Sequence, residues 1–302
     1  MKSRSRWRRA LADLRSLFFW PILAAALPRS LGYGLLKHLA SRSGDFEPEA
    51  DAAWRGCRLI VERGDEVEWK YRYRLLRWVE RADTFLTLLR SRRWWARQVD
   101  LDAQWPNPAR PSLLLTHHWG AGHWVWGVLQ AHGQRAWFVA RQPSVADLGA
   151  GRIALWYGAL RGWSLRRIGG RGPLYTGGSA RRVRAAMVAG DSVVGMLDLP
   201  ANAGQRPMPV TLLDRAAQLP SRLIDVAREA APTIAVFSCA FDFSSGRRRL
   251  RLRVLPDGLS TAEVLAAYAE DLSACLADAS ECWMMWHESS AIFTAPPRAV
   301  TP

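Results

Sequence analysis

Lysine is nearly missing from this chain of 302 residues. Lys2, Lys37 and Lys70 are the whole set among 42 basic residues, against 27 acidic ones, so the formal charge of +15 is carried by arginine. Cysteine is scarce too: Cys57, Cys239, Cys275 and Cys282 show no paired short spacing, which argues against a disulfide framework and a zinc-binding pattern and for buried free thiols. No apolar run reaches the roughly 20 residues of a bilayer-spanning helix. The run over residues 17–27 has eleven and is interrupted by Pro21. Ser179 and Ser238 lack the glycine pattern of a nucleophile elbow, and no cysteine accompanies a histidine, so a covalent acyl-enzyme has no support. Repeats at a solenoid or propeller period and low-complexity linkers are also absent.

What is present is a core and a basic surface. At 49% hydrophobic, the chain has enough apolar residues for a full core. Arginine suits bidentate contact with phosphate, so the surface attracts anionic lipid headgroups, phosphorylated substrates, acidic carrier proteins or nucleic acid, although arginine usage also follows genome base composition. Sixteen tryptophans, several beside arginine, suit either RNA stacking or the water–membrane boundary. The N-terminus favours the membrane: Lys2, Arg4, Arg6, Arg8 and Arg9 precede the run at 17–27. A basic start followed by Ala24-Ala25-Ala26 also resembles a cleavable secretory signal. Against that, apolar residues resume at Leu31, Leu35, Leu36 and Leu39, as in an interfacial amphipathic helix, and residues 1–45 are expected to be an uncleaved membrane-associating segment.

Residues up to about 100 read as helices, with apolar positions at helical spacing from Trp69 to Leu89. Trp105-Pro106-Asn107-Pro108 breaks that pattern. Short apolar runs at 111–116, 135–140, 164–168 and 192–198 then alternate with helical segments at 120–132, 145–161 and 178–189. A run at 208–213, a helix near 219–230 and a hairpin of 232–242 with 248–255 follow. This alternation predicts an α/β domain over 46–302, with a sheet whose sites lie at the carboxyl ends of strands.

One such end carries Thr116-His117-His118-Trp119-Gly120-Ala121-Gly122-His123, half of the six histidines in the chain. A neutral imidazole takes the proton from a hydroxyl or amine attacking a thioester, and works best with a carboxylate on its other nitrogen. The residue five beyond His118 is His123, not an acid. Three readings stand: His123 orients His118, Asp198 at the end of another strand does so, or the site binds without catalysis. A three-histidine metal site is disfavoured, because adjacent residues at a strand end point to opposite faces. Arg166, Arg167 and Arg171 flank Gly169-Gly170 ahead of an expected helix, where they would hold a phosphopantetheine phosphate or remain a solvated loop.

The histidine segment resembles the H-x4-D/E block of the lipid A late acyltransferases, the lauroyl/myristoyl transferase family, with His118 on the family histidine, Gly120 on its glycine and His123 in place of the acid. The resemblance continues in order. Residues 165–172, 180–190 and 192–198 are similar to the family's basic segment, helix and aspartate-ending strand. Residues 207–213 and 219–234 follow its next strand and helix, and Trp283-Met284-Met285-Trp286-His287 is similar to its W-x-W-x-H. The resemblance implies a glycerolipid acyltransferase-like mixed sheet flanked by helices, with a helical membrane-docking lobe. It also implies attachment to the cytoplasmic face of the cell inner membrane. The implied activity moves a fatty acyl group from acyl carrier protein or acyl-coenzyme A to a lipid acceptor, without metal, cofactor or specific nucleic acid. His118 would be the base, His123 and Asp198 the candidate partners, and Gly120, Arg166, Arg167 and Arg171 the substrate-binding residues. The alternative on the same scaffold is a catalytically degenerate lipid- or carrier-binding protein.

Overall fold

The computed structural model describes residues 7, 10–61, 64–102, 105–141, 151–201, 203–230 and 232–294. The expected basic start at Lys2, Arg4, Arg6, Arg8 and Arg9 and the first part of the helix expected at 145–161 lie outside them.

The N-terminal third is helical, as its periodicity predicts. A π-helical turn at Arg15–Phe19 runs into α1 (Trp20–Ala26), followed by α2 (Arg29–Arg42), α3 (Glu47–Cys57), α4 (Glu66–Leu89) and α5 (Arg92–Ala96). The central member is α4, which starts where the Asp65 side chain accepts the Val67 N–H. It buries Trp69, Tyr73, Leu76 and Trp78 on its inner face, with Glu68 pairing to Arg72 outside. Ala24, Leu36 and Leu39 share one apolar cluster with Phe46 and with sheet residues, so the core runs across position 45.

The remainder is α/β. Among the described residues nine strands, β1 (Val99–Asp102), β2 (Ser112–Thr116), β3 (Ala136–Ala140), β4 (Gly170–Tyr175), β5 (Ser192–Met196), β6 (Pro207–Leu212), β7 (Arg215–Pro220), β8 (Thr233–Phe241) and β9 (Arg248–Val254), form a seven-stranded sheet and a separate β6–β7 hairpin. The sheet order is β1-β9-β8-β2-β5-β3-β4, mixed because β8 and β9 run antiparallel while the other neighbours are parallel. Leu113, Leu114 and Leu115 are fully buried because β2 lies mid-sheet with neighbours on both edges and cover on both faces. Helices α6 (Val125–Ala131), α7 (Arg152–Arg167), α8 (Ser179–Val188), α9 (Arg222–Arg228), α10 (Thr261–Asp278) and the short α11 (Ser289–Ile292) complete the chain.

Two local readings are corrected. The apolar residues at 164–168 are not a strand but the last turns of α7, and the strand begins only at Gly170, where Gly169 at φ +126° changes the chain's direction. The helix expected from 219 begins at Arg222, because residues 215–220 pair with β6 as the return strand of a hairpin. Its turn holds Leu213 and Asp214 at positive φ, a conformation that these residues do not advertise in sequence.

Candidate functional site

Parallel register builds the site. Thr116 of β2 is paired with Met196 of β5, so two residues further along each strand His118 and Asp198 emerge side by side at the carboxyl end of the sheet. His118 Nδ1 lies 2.9 Å from Asp198 Oδ1, and the His118 main-chain N–H donates to Asp198 Oδ2 at 2.7 Å. An ionised carboxylate only accepts, so Nδ1 carries the proton and Nε2 of the neutral ring keeps its lone pair. That side chain is 28% exposed, whereas Asp198 is fully buried.

Further donors satisfy the buried carboxylate. Trp283 donates its indole N–H to Oδ2 at 2.8 Å. The Tyr268 hydroxyl accepts the main-chain N–H groups of Leu197 and Asp198 at 3.0 Å, and shares its proton between the Thr116 carbonyl at 2.9 Å and Asp198 Oδ1 at 3.1 Å. Tyr268 comes from α10, which starts with a capping box between Ser260 and Glu263. Trp283 is fixed by an edge-on contact with Trp286, and Met284 N–H donates to the His118 carbonyl at 2.8 Å.

These contacts set the protonation states. Burial alone would raise the Asp198 carboxyl, but His118, His117 and the Trp283 N–H outweigh it and hold the group well below the usual carboxylate range. Burial disfavours the charged form of His118, yet Asp198, with a smaller contribution from Glu80, prevails, so its pKa lies above the ordinary imidazole value.

His123 does not contact the dyad. It is buried, its Nε2 lies 3.2 Å from Ser164 Oγ of α7, and its Nδ1 has no hydrogen-bond partner among the described residues. Burial, then Arg161 and Arg248, push its pKa well below the ordinary value, leaving it neutral. The reading in which His123 orients His118 is therefore corrected: the H-x4 spacing places the ring on a 3-10 turn at Gly122–Trp124, facing α7, while the carboxylate arrives from β5.

The other expected residues are scattered. Gly120 sits at φ +74°, and a Cβ there would lie 1.9 Å from the Cys239 carbonyl oxygen, so its role is to let β2's extension pass against β8. Arg166 and Arg167 end α7, and Arg171 on β4 pairs with Asp191 at 3.3 Å. The expected helix does not follow the Gly-Gly pair directly, because β4 intervenes before α8.

His117 turns the other way and pairs with Asp271 Oδ2 at 2.8 Å, so the adjacent histidines answer to different carboxylates. With Cys275, His117 and Asp271 form a group whose donor atoms lie within 4.8 Å of one another, a spacing compatible with a metal ion. Against a thiolate ligand, burial pushes the Cys275 thiol up to about 12. Beside the N-terminal helices a small, partly open cavity of about 40 Å³ is lined by Ala24, Leu36, Val79, Leu86 and Trp124, with Asp83 and Arg248 paired at 2.5 Å. Val79, Ala82 and Asp83 come from the turn of α4 that carries Glu80, the group sensed by His118.

The class defined by fold and site is an α/β protein with a histidine–aspartate dyad at the carboxyl ends of two parallel strands. Compared with protein-family models and with curated proteins, the chain matches none.

Proposed function

We propose that this protein is a membrane-associated acyltransferase that moves a fatty acyl group from an acyl thioester to a lipid or lipid-linked acceptor. The observation that carries the reading is the orientation of His118, whose Nδ1 is held by a buried, fully hydrogen-bonded Asp198 while its ring remains partly exposed. Ordered resemblance to the lipid A late acyltransferases supports a glycerolipid acyltransferase-like assignment and a fatty chain as the transferred group.

In this reading His118 Nε2 takes the acceptor hydroxyl proton as that oxygen attacks the thioester carbonyl carbon. The imidazolium is stabilised by Asp198, which stays ionised. Collapse of the tetrahedral intermediate breaks the C–S bond, and the imidazolium returns its proton to the leaving thiolate, giving an ester and a free thiol. The donor is acyl carrier protein or acyl-coenzyme A, and the seat is the cytoplasmic face of the inner membrane. Among the described residues no helix is long and apolar enough to cross a membrane, which is compatible with peripheral or monotopic attachment.

The test is transfer of a labelled long-chain acyl group from either thioester into bacterial lipid extract by wild type and by His118→Ala. Labelled lipid formed by wild type and lost in the variant supports the reading. Donor binding by both proteins without turnover or thioester hydrolysis overturns it in favour of a binding protein on this scaffold.

A further inference from the structure

Helix α7 packs through Ile153, Tyr157 and Leu160 onto Leu17 and Phe18, with the Phe18 and Tyr157 rings edge to face at 5.9 Å. A second flank, about a third of a turn round, reads Arg152, Leu155, Trp156, Ala159, Trp163 and Arg166, offsets of 3, 4, 7, 11 and 14 that trace one stripe along a helix. Trp156 is 65% and Trp163 47% exposed. The N-terminal element beside it leaves Leu11, Phe19 and Ile22 uncovered in the same way. Two adjoining helices therefore each carry an unpartnered aromatic or aliphatic flank, and α7 has arginine at both ends of its stripe. That distribution matches a helix lying in a bilayer interface, with indoles at headgroup depth and guanidiniums among phosphates.

The same corner holds an open pocket of about 240 Å³ lined by Arg90, Arg92 and Arg167 with Thr87, Ser91 and Trp95. The pocket ties the two elements together: Arg90 Nη2 donates to the Ala26 and Leu27 carbonyls at the end of α1, and Arg167 ends α7 with its guanidinium 5.7 Å from the Trp163 ring. Arg92 Nη2 donates to the Arg167 carbonyl at 3.4 Å, and Arg90 Nε is buried without a hydrogen-bond partner among the described residues. Among the described residues none of these three guanidiniums pairs with a carboxylate, whereas Arg72 and Arg77 on α4 and Arg161 on α7 do. Three uncompensated guanidiniums around one pocket call for a polyvalent oxyanion, which they meet by charge-assisted, bidentate hydrogen bonds.

We propose that α7 is a second membrane-docking element and that the pocket of Arg90, Arg92 and Arg167 receives the phosphate of an anionic lipid headgroup. This goes beyond the acyltransferase reading and does not depend on it, since docking requires no turnover.

The test uses the purified full chain with phosphatidylcholine vesicles, with and without phosphatidylglycerol, followed by co-sedimentation. An Ala159→Cys variant labelled with an environment-sensitive fluorophore reports on α7, the native thiols being buried. The expected result is a blue shift of the label on vesicles. Arg92→Ala/Arg167→Ala should lose about thirty-fold in affinity for anionic vesicles, about fivefold for each arginine, with little change on phosphatidylcholine alone. Trp156→Ser/Trp163→Ser should weaken binding to both. Unchanged melting temperatures separate these effects from unfolding. Sedimentation with no shift at position 159 overturns the role of α7, and wild-type affinity of the arginine variant for anionic vesicles overturns the headgroup pocket. Displacement by inorganic phosphate, at ionic strength matched with chloride, assigns the pocket to free phosphate and also overturns the headgroup assignment. Acyl transfer assayed separately in detergent micelles keeps the fate of the catalytic reading distinct.

Discussion

Trp283 donates its indole N–H to Asp198 at 2.8 Å, on the carboxylate oxygen that also accepts the His118 main-chain N–H. A residue 85 positions away in sequence thus fixes the carboxylate plane against the imidazole. Trp283→Phe removes that donor and opens space in a site where the side chain is fully buried. The expected cost is roughly 2 to 4 kcal/mol of stability, read by urea unfolding, together with a fall in acyl transfer larger than the loss of folded protein.

Asp198→Asn tests the dyad. The neutral amide no longer stabilises the imidazolium and no longer enforces one tautomer, so transfer should fall by about 10^3 to 10^4 while the fold persists. Because Asp198 holds the His118 pKa above the ordinary value near 6.5, the wild-type rate should rise with pH to a midpoint above that value, and NMR titration should show a lower midpoint in the variant. The linkage has a definite sign: the stabilisation of charged His118 is fully present below its unfolded value and is lost as pH rises through its folded value.

Gly120→Ala places a methyl group on the Cys239 carbonyl and forces a side-chain residue to φ +74°. A destabilisation of about 3 kcal/mol or more is expected, measured by thermal or urea unfolding. A variant as stable as wild type would show that the crossing of residues 118–121 over β8 is not as tight as described.

Arg248 and Asp83 form a buried ion pair, with the guanidinium also 3.9 Å from the Trp124 ring. Arg248→Met leaves a carboxylate whose pKa burial has already raised to about 6 without its counter-charge, and about 3 to 5 kcal/mol of stability should be lost. Adding Asp83→Leu should recover part of that loss, because a neutral pair no longer buries an isolated charge.

The thiols should be inert in the folded protein. All four cysteines are buried, burial pushes Cys239 and Cys275 up to about 12, and burial also holds Cys282 well above its ordinary value. Ellman's reagent at mild alkaline pH should react with few or none of them before denaturation and with four afterwards.

The alternation of apolar runs made the α/β class, the antiparallel β8–β9 hairpin and the position of His118 at a strand end legible. Asp198 was legible as a second strand end, but nothing in a linear pattern states that its strand lies next to β2. The resemblance drew attention to Trp283, and its role as a donor to Asp198 required the folded chain. Tyr268 and Asp271 gave no signal, since both occupy ordinary positions on an amphipathic helix. The π-helical turn, β7 and the extension of α7 through residue 167 were missed because tertiary pairing and packing override weak local preferences there.

By itself the sequence determined the helical N-terminal third, the arginine-rich charge, the lack of a paired cysteine spacing and the strand-end histidines, because periodicity and composition are local properties. Only tertiary structure decided that Asp198 rather than His123 meets His118. Strand register joins residues 80 apart, whereas the five-residue spacing turns His123 into a closed contact with Ser164. It also left one flank of α7 exposed beside a pocket of arginines that pair with no carboxylate among the described residues, a juxtaposition made by helix packing and absent from any single segment of the chain.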